Sequence, residues 1–242
     1  MDREFALARE IQQRLLPESP PTVAGYQLHG SNTASRQVSG DYFDFRSRPD
    51  KKMYAAIADV CGKGVGPALL MASLQASFHA WADESVPVAE MTGRLSEAIS
   101  RRTGPDRFIT FFLVLLDPAT GEVEFTNAGH NPGILLKPDG EMTELPSHGL
   151  PLALFPGKPY GSSKFTLEPG DLLCLYTDGV TEANSPDGTE FGFPRLKEFL
   201  TAQVGRTPDD IEELLLKELE EHAQGEPFAD DRTLVMVRRI TA

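Results

Sequence analysis

Met53-Tyr54-Ala55-Ala56-Ile57-Ala58-Asp59-Val60-Cys61-Gly62-Lys63-Gly64 is the stretch from which the rest of the chain can be read. Met53 to Ala58 form an apolar run of strand length, Asp59 stands where the run ends, and Gly62-Lys63-Gly64 turns the chain towards its next element. A carboxylate in that place is held by rigid backbone yet projects from the sheet edge. Several such groups from separate strands can converge on one hard cation that prefers oxygen ligands. Three more aspartates stand alike: Asp41 in Val38-Ser39-Gly40-Asp41, Asp178 in Tyr176-Thr177-Asp178-Gly179, and Asp230 in Ala229-Asp230-Asp231-Arg232-Thr233. One Asp-Gly alone is an ordinary turn signal, but four aspartates that each end or open an apolar run point to a metal site for two ions.

Working outward from Met53, the chain before it reads as strands at Tyr26 to Leu28 and Asp41 to Phe45, with Arg48-Pro49-Asp50-Lys51 turning the latter into its neighbour. After the glycine loop, Leu69, Leu70, Ser73, Leu74, Ser77, Phe78 and Trp81 repeat at helical spacing and predict a helix beginning near Pro67; Pro87 opens a second, to about Arg102. Strands are expected at Phe108 to Leu116, Val123 to Asn127 and Ile134 to Lys137, as a meander, then at Lys164 to Leu167, Asp171 to Tyr176 and Leu234 to Ile240. Helices are expected from Pro194 to Val204 and from Pro208 to Ala223, the latter capped by Thr207 with Asp210 three residues on. Grouped strands with helix pairs set apart argue for an α+β layered sandwich rather than alternating βαβ units. Leu7, Ala8, Ile11 and Leu15 mark one face of a leading helix stopped by Pro17, Pro20 and Pro21. The expected organisation is a linker helix and Pro-rich break over 1–21 and one domain over 22–242.

Bulk properties restrict the function class. At 242 residues and 40% hydrophobic content the chain can bury a sizeable core. Lys plus Arg at 23 against Asp plus Glu at 36, a net charge of −13, argues against nucleic acid or an anionic membrane as partner. No apolar run has the roughly 18 residues of a membrane-spanning helix, and Met1-Asp2-Arg3-Glu4 lacks the regions of a signal peptide, so a cytoplasmic protein is expected. Cys61 and Cys174 are expected to stay unpaired, Cys174 as a small buried hydrophobe.

The motifs around Arg36 to Asp44, Ala58 to Gly64, Asn127-Ala128-Gly129-His130-Asn131-Pro132, Tyr176 to Ala183 and Asp230 to Leu234 together resemble the SpoIIE/RsbU branch of the PPM metal-dependent serine/threonine phosphatases, in family order. The resemblance implies a four-layer α-β-β-α sandwich of two antiparallel sheets flanked by helices. It also implies a centre of two Mn²⁺ or Mg²⁺ ions. By position Asp59 matches the metal-bridging aspartate, with the Val60 carbonyl beside it; Asp178 and Asp230 match ligands of the first metal, and Asp41 the second-metal side. Asp231 is either an acceptor that supports the ligands or a ligand of a third ion, and Arg36 stands at the spacing of a phosphate-binding arginine. Ser39 and Lys63 depart from the glycine and histidine of many relatives, which leaves that loop without a general acid. His130 is read as a turn histidine bonded to backbone.

The function so implied is a phosphoserine/phosphothreonine protein phosphatase acting on a phosphorylated STAS-type anti-sigma-factor antagonist in partner-switching signalling. An upstream sensory domain or regulator is expected to act through the N-terminal helix, and a homodimer is compatible with its apolar stripe. The alternative is a phosphatase-fold module that binds a phosphoprotein without turning it over. A phosphatase with a nucleophilic aspartate is disfavoured by the lack of an Asp-x-Asp-x-Thr/Val signature.

Overall fold

A computed structural model describes residues 2–104 and 106–240. In chain order its elements are α1 (Asp2–Gln13), β1 (Tyr26–Thr33), β2 (Tyr42–Ser47), β3 (Met53–Val60), α2 (Val65–Trp81), α3 (Val88–Ser100), β4 (Ile109–Leu116), β5 (Glu122–Ala128), β6 (Gly133–Leu136), β7 (Met142–Leu145), β8 (Ser163–Thr166), β9 (Leu172–Tyr176), α4 (Asp178–Thr181), α5 (Gly192–Ala202), α6 (Pro208–Ala223) and β10 (Arg232–Arg239). They build two antiparallel five-stranded sheets, β2-β3-β4-β5-β8 and β1-β10-β9-β6-β7.

The central strands are buried on both faces, so their sequences are apolar throughout and only alternation shows which residue faces which layer. Along β3, Met53, Ala55 and Ile57 enter the layer between the sheets, whereas Tyr54, Ala56, Ala58 and Val60 face the layer under α2 and α3. Likewise Phe43 and Phe45 of β2, Leu173 and Leu175 of β9, and Val235 and Val237 of β10 point between the sheets. Phe112 stacks on Phe125 there with ring centroids 5.3 Å apart. A third apolar layer joins the second sheet to α5 and α6 through residues such as Leu196, Leu200, Ile211 and Leu215. The result is the α-β-β-α sandwich that the sequence implied.

Alternation also places the site. Asp59 continues the phase of Ile57, Thr233 that of Val235, and Asp41 and Thr177 lie one step beyond β2 and β9 in the phase of Phe43 and Leu175. All therefore address the space between the sheets. The register puts them at one end: Tyr42 pairs with Ala58, Val60 with Ile109, Tyr176 with Leu234, and Thr33 with Arg232.

The structure corrects several expected details. The run after Asn127 does not continue a meander: β5 pairs with β4 and β8, while β6 crosses to the other sheet between β7 and β9. The strand β7 and the one-turn helix α4 were not expected, β1 extends to Thr33, and α2 begins at Val65. Thr207 caps α6 as anticipated, accepting from the Asp210 N–H at 3.2 Å. The leading helix is tied to the body: buried Gln12 pairs its side-chain amide with the backbone of Ser39, at 2.7 and 2.8 Å, and Leu16 packs on the core. No described helix is long and apolar enough to cross a membrane.

Candidate metal centre

Two layers of carboxylates meet at this end of the sandwich. The inner layer is Asp41 and Asp231, both buried. Asp41 Oδ2 accepts from the hydroxyls of Thr177 at 2.8 Å and Thr233 at 2.6 Å, so strand-end residues of β9 and β10 hold a carboxylate delivered by the other sheet. Asp231 has no free oxygen: Oδ1 accepts from the Ser35 N–H at 2.7 Å and hydroxyl at 2.9 Å, and Oδ2 from the Ser39 hydroxyl and Gly40 N–H, both at 2.8 Å. Ser39 Oγ in turn accepts from the Asp41 N–H at 3.0 Å. Of the two sequence readings of Asp231, four bonds to protein donors favour the supporting acceptor.

The outer layer is Asp178, Glu182 and Asp230, and Asp59 lies between it and Asp41. Oxygens of Asp178, Glu182 and Asp230 lie within 4.8 Å of one another. Asp59 is mostly buried at the end of β3, and burial together with the like charges of Asp178 and Asp230 pushes its carboxyl up to about 7. Asp41 is raised well above the usual carboxylate range by burial and by Asp59, Asp178 by burial and Asp230, and Glu182 by burial and Asp178. Like charges gathered in a partly dry cleft cannot all ionise unless positive charge is supplied. Lys63 provides some, with Nζ 2.7 Å from Asp230 Oδ2 and donating to the Ala229 carbonyl at 2.5 Å. An all-oxygen, acid-rich set suits Mg²⁺ or Mn²⁺, so the residues present fit the implied ions.

The neighbouring groups position this set. Val60 is buried, and a Cβ built on Gly40 would lie 3.1 Å from its carbonyl oxygen, which therefore faces the Gly40-Asp41 segment. Gly62, at φ +92°, turns the chain from β3 towards α2 in the left-handed region. His130 is buried: its Nε2 meets the Tyr176 carbonyl at 3.1 Å and its Nδ1 the Thr110 hydroxyl at 2.8 Å, bridging the two sheets just below the aspartates. Burial lowers it to about 4, so it is neutral and a spacer. Cys61 and Cys174 are both free, and burial pushes the Cys174 thiol up to about 12. Arg36 is exposed on the loop after β1, and no hydrogen bond among the described residues draws it to the acid cluster.

The structure thus brings Asp41, Asp59, Val60, Asp178, Asp230 and Asp231 to one end of the sandwich and leaves Arg36 at its margin. Sequence reading missed Glu182, four residues after Asp178 and so on the same side of a helical turn, a signal usable only once α4 is known. It also missed the threonine pair on Asp41 and the tie of Gln12 to Ser39.

The chain resembles known proteins in sequence and in fold. Over 244 residues the chain is 27% identical to the phosphoserine phosphatase RsbU of Bacillus subtilis, covering 98% of this chain and 70% of RsbU. It is 29% identical to protein IcfG of Synechocystis over 263 residues, covering 98% of this chain but spanning only 41% of IcfG. Its fold is that of the SiaA-PP2C domain of Pseudomonas aeruginosa, with a TM-score of 0.86 at 23% identity over 99% of this chain and 97% of that one. The pattern of the Stage II sporulation protein E (SpoIIE) family matches residues 49–240, and with the motif aspartates gathered as described the chain belongs to that family.

Proposed function

We propose that the chain is a Mn²⁺- or Mg²⁺-dependent phosphoserine/phosphothreonine protein phosphatase, with a phosphorylated STAS-type anti-sigma-factor antagonist as substrate. The observation that carries this is the convergence of Asp59, Asp178 and Asp230 from separate strand ends, backed by buried Asp41 and by Asp231 with both oxygens bonded to protein donors. When bound, two divalent ions supply an activated water at neutral pH and positive charge against the phosphoryl oxygens. The chain's own residues hold the charge and the geometry. Asp59, between the two carboxylate layers, would serve both ions, with the Val60 carbonyl beside it; Asp178 and Asp230 would hold one, and Asp41 would complete the other side. Asp231, Ser39, Thr177 and Thr233 fix the backbone and the Asp41 rotamer, so the ligands need not reorganise during turnover. Glu182 adds charge at the rim. Arg36, exposed on the loop after β1, would be the chain's candidate to meet a phosphate oxygen from outside the cluster.

Leu7 and Ile11, 57% and 55% exposed on α1, offer an apolar face to an upstream sensory module or to a second copy of the chain, and Gln12 carries its position to Ser39. A cytoplasmic location fits a protein substrate of this kind. The test is dephosphorylation of a phosphoserine STAS protein by the purified chain with and without Mn²⁺. Metal-dependent release of phosphate is expected. Asp178→Ala should lower turnover by at least about a hundredfold, since charge stabilisation by a metal amounts to several kcal/mol. Stoichiometric binding of the phosphoprotein without turnover would instead assign a binding module.

A further inference from the structure

Lys63 is placed where a cation has consequences. It sits between two glycines of left-handed φ, Gly62 at +92° and Gly64 at +94°, in the short link between Asp59 and α2. That link keeps its backbone beside the cluster. Two of the three ammonium donors are engaged, on Asp230 Oδ2 at 2.7 Å and on the Ala229 carbonyl at 2.5 Å, both on the segment that carries the outer carboxylate. The side chain remains about a third exposed, at 32%, so the contact can open without rebuilding the core. Oxygens of Asp178 and Glu182 share the same 4.8 Å neighbourhood with Asp230.

We propose that Lys63 is a tethered counter-cation of the acid cluster: it holds the outer carboxylates together in the metal-free protein and opposes divalent ions at the Asp178–Asp230 side. The inference rests on reading this cluster as a metal centre. An ammonium and a carboxylate group satisfy each other at ordinary distance, whereas an ammonium and a divalent ion on the same carboxylate repel. Discounted for solvent, repulsion at a few ångströms still amounts to about tenfold in affinity. The same charge lowers the mutual repulsion of the carboxylates when no ion is present. Lys63 would then set how much free metal the site requires.

Mn²⁺ titration of the full chain by calorimetry, with thermal melting in chelator, tests this on Lys63→Met, which keeps the apolar stem, and on Lys63→Arg, which keeps the charge. Lys63→Met should bind Mn²⁺ at least about tenfold more tightly and melt lower when metal-free, while Lys63→Arg stays within about threefold of wild type. If Lys63→Met misfolds by circular dichroism, Lys63→Gln takes its place. Unchanged or weaker Mn²⁺ binding by the folded, uncharged variant overturns the role of Lys63 alone. A wild-type chain that binds no Mn²⁺ overturns the metal-centre reading and this proposal with it.

Discussion

Asp230 and Asp231 are neighbours on the chain but belong to two different layers of one acid cluster. Asp231 is buried and spends both oxygens on four protein donors, whereas Asp230 is 26% exposed at its side chain and is held by Lys63 at 2.7 Å and the Asp231 N–H at 2.8 Å. Asp41 is intermediate, with two threonine hydroxyls on Oδ2 alone; Asp178 and Glu182 resemble the second. A carboxylate whose lone pairs are already answered by the fold frames a site. One crowded by like charges and poorly supplied with donors is available to a ligand.

That contrast makes an unequal pair of substitutions the sharpest way to break it. Asp231→Ala removes the acceptor of four donors from Ser35, Ser39 and Gly40, and should cost about 3–5 kcal/mol of stability, because donors left buried without partners carry their full desolvation penalty. Asp230→Ala loses a part-exposed ion pair with Lys63 and one backbone hydrogen bond, relieves like-charge crowding, and should cost no more than about 1 kcal/mol. Urea unfolding of both, in chelator, decides: equal losses would erase the distinction between the layers.

His130 gives the next effect. It is neutral in the fold at about 4 against an ordinary 6.5, so below that ordinary value the unfolded chain takes up a proton that the folded chain refuses. Stability from this group is therefore full above about pH 6.5 and is lost as pH falls towards 4, on the order of 3 kcal/mol in all. Comparing wild type with His130→Gln cancels the opposite trend of the raised aspartates. The stability advantage of wild type should shrink across that window, and an advantage independent of pH would mean that the imidazole accepts protons freely. Smaller still is Gln12→Ala, which leaves the Ser39 N–H and carbonyl without their side-chain partner. A loss of about 1–2 kcal/mol is expected, with α1 becoming more open to proteolysis; unchanged stability and protection would show that α1 is held by Leu16 and its neighbours alone.

Much of this was legible beforehand for a physical reason. Aspartates that end or open apolar runs are legible in a sequence, so Asp41, Asp59, Asp178 and Asp230 could be picked out together with the strands beside them, although Asp117 and Asp171 hold like places after β4 and before β9 away from the cluster. The partner of a strand did not. Ile134 to Leu136 is apolar on both faces in either sheet, and the chain turns at Gly129 with φ +66° to cross between them, so the short run carried no sign that β6 leaves β5. Glu182 escaped because α4 is a single turn, too short for periodicity. Gln12 escaped because a glutamine on a charged helix looks like surface, and only its burial against Ser39 reveals otherwise.

Calorimetric titration of Mn²⁺ into the metal-stripped chain, wild type beside Asp59→Asn, addresses the metal centre most directly. Asp59 stands between both carboxylate layers, so the wild type should bind two ions per chain and the variant, still folded by circular dichroism, at most one. A wild type that takes up no Mn²⁺ at millimolar concentration, or an Asp59→Asn variant that titrates like it, would contradict a site built on that aspartate.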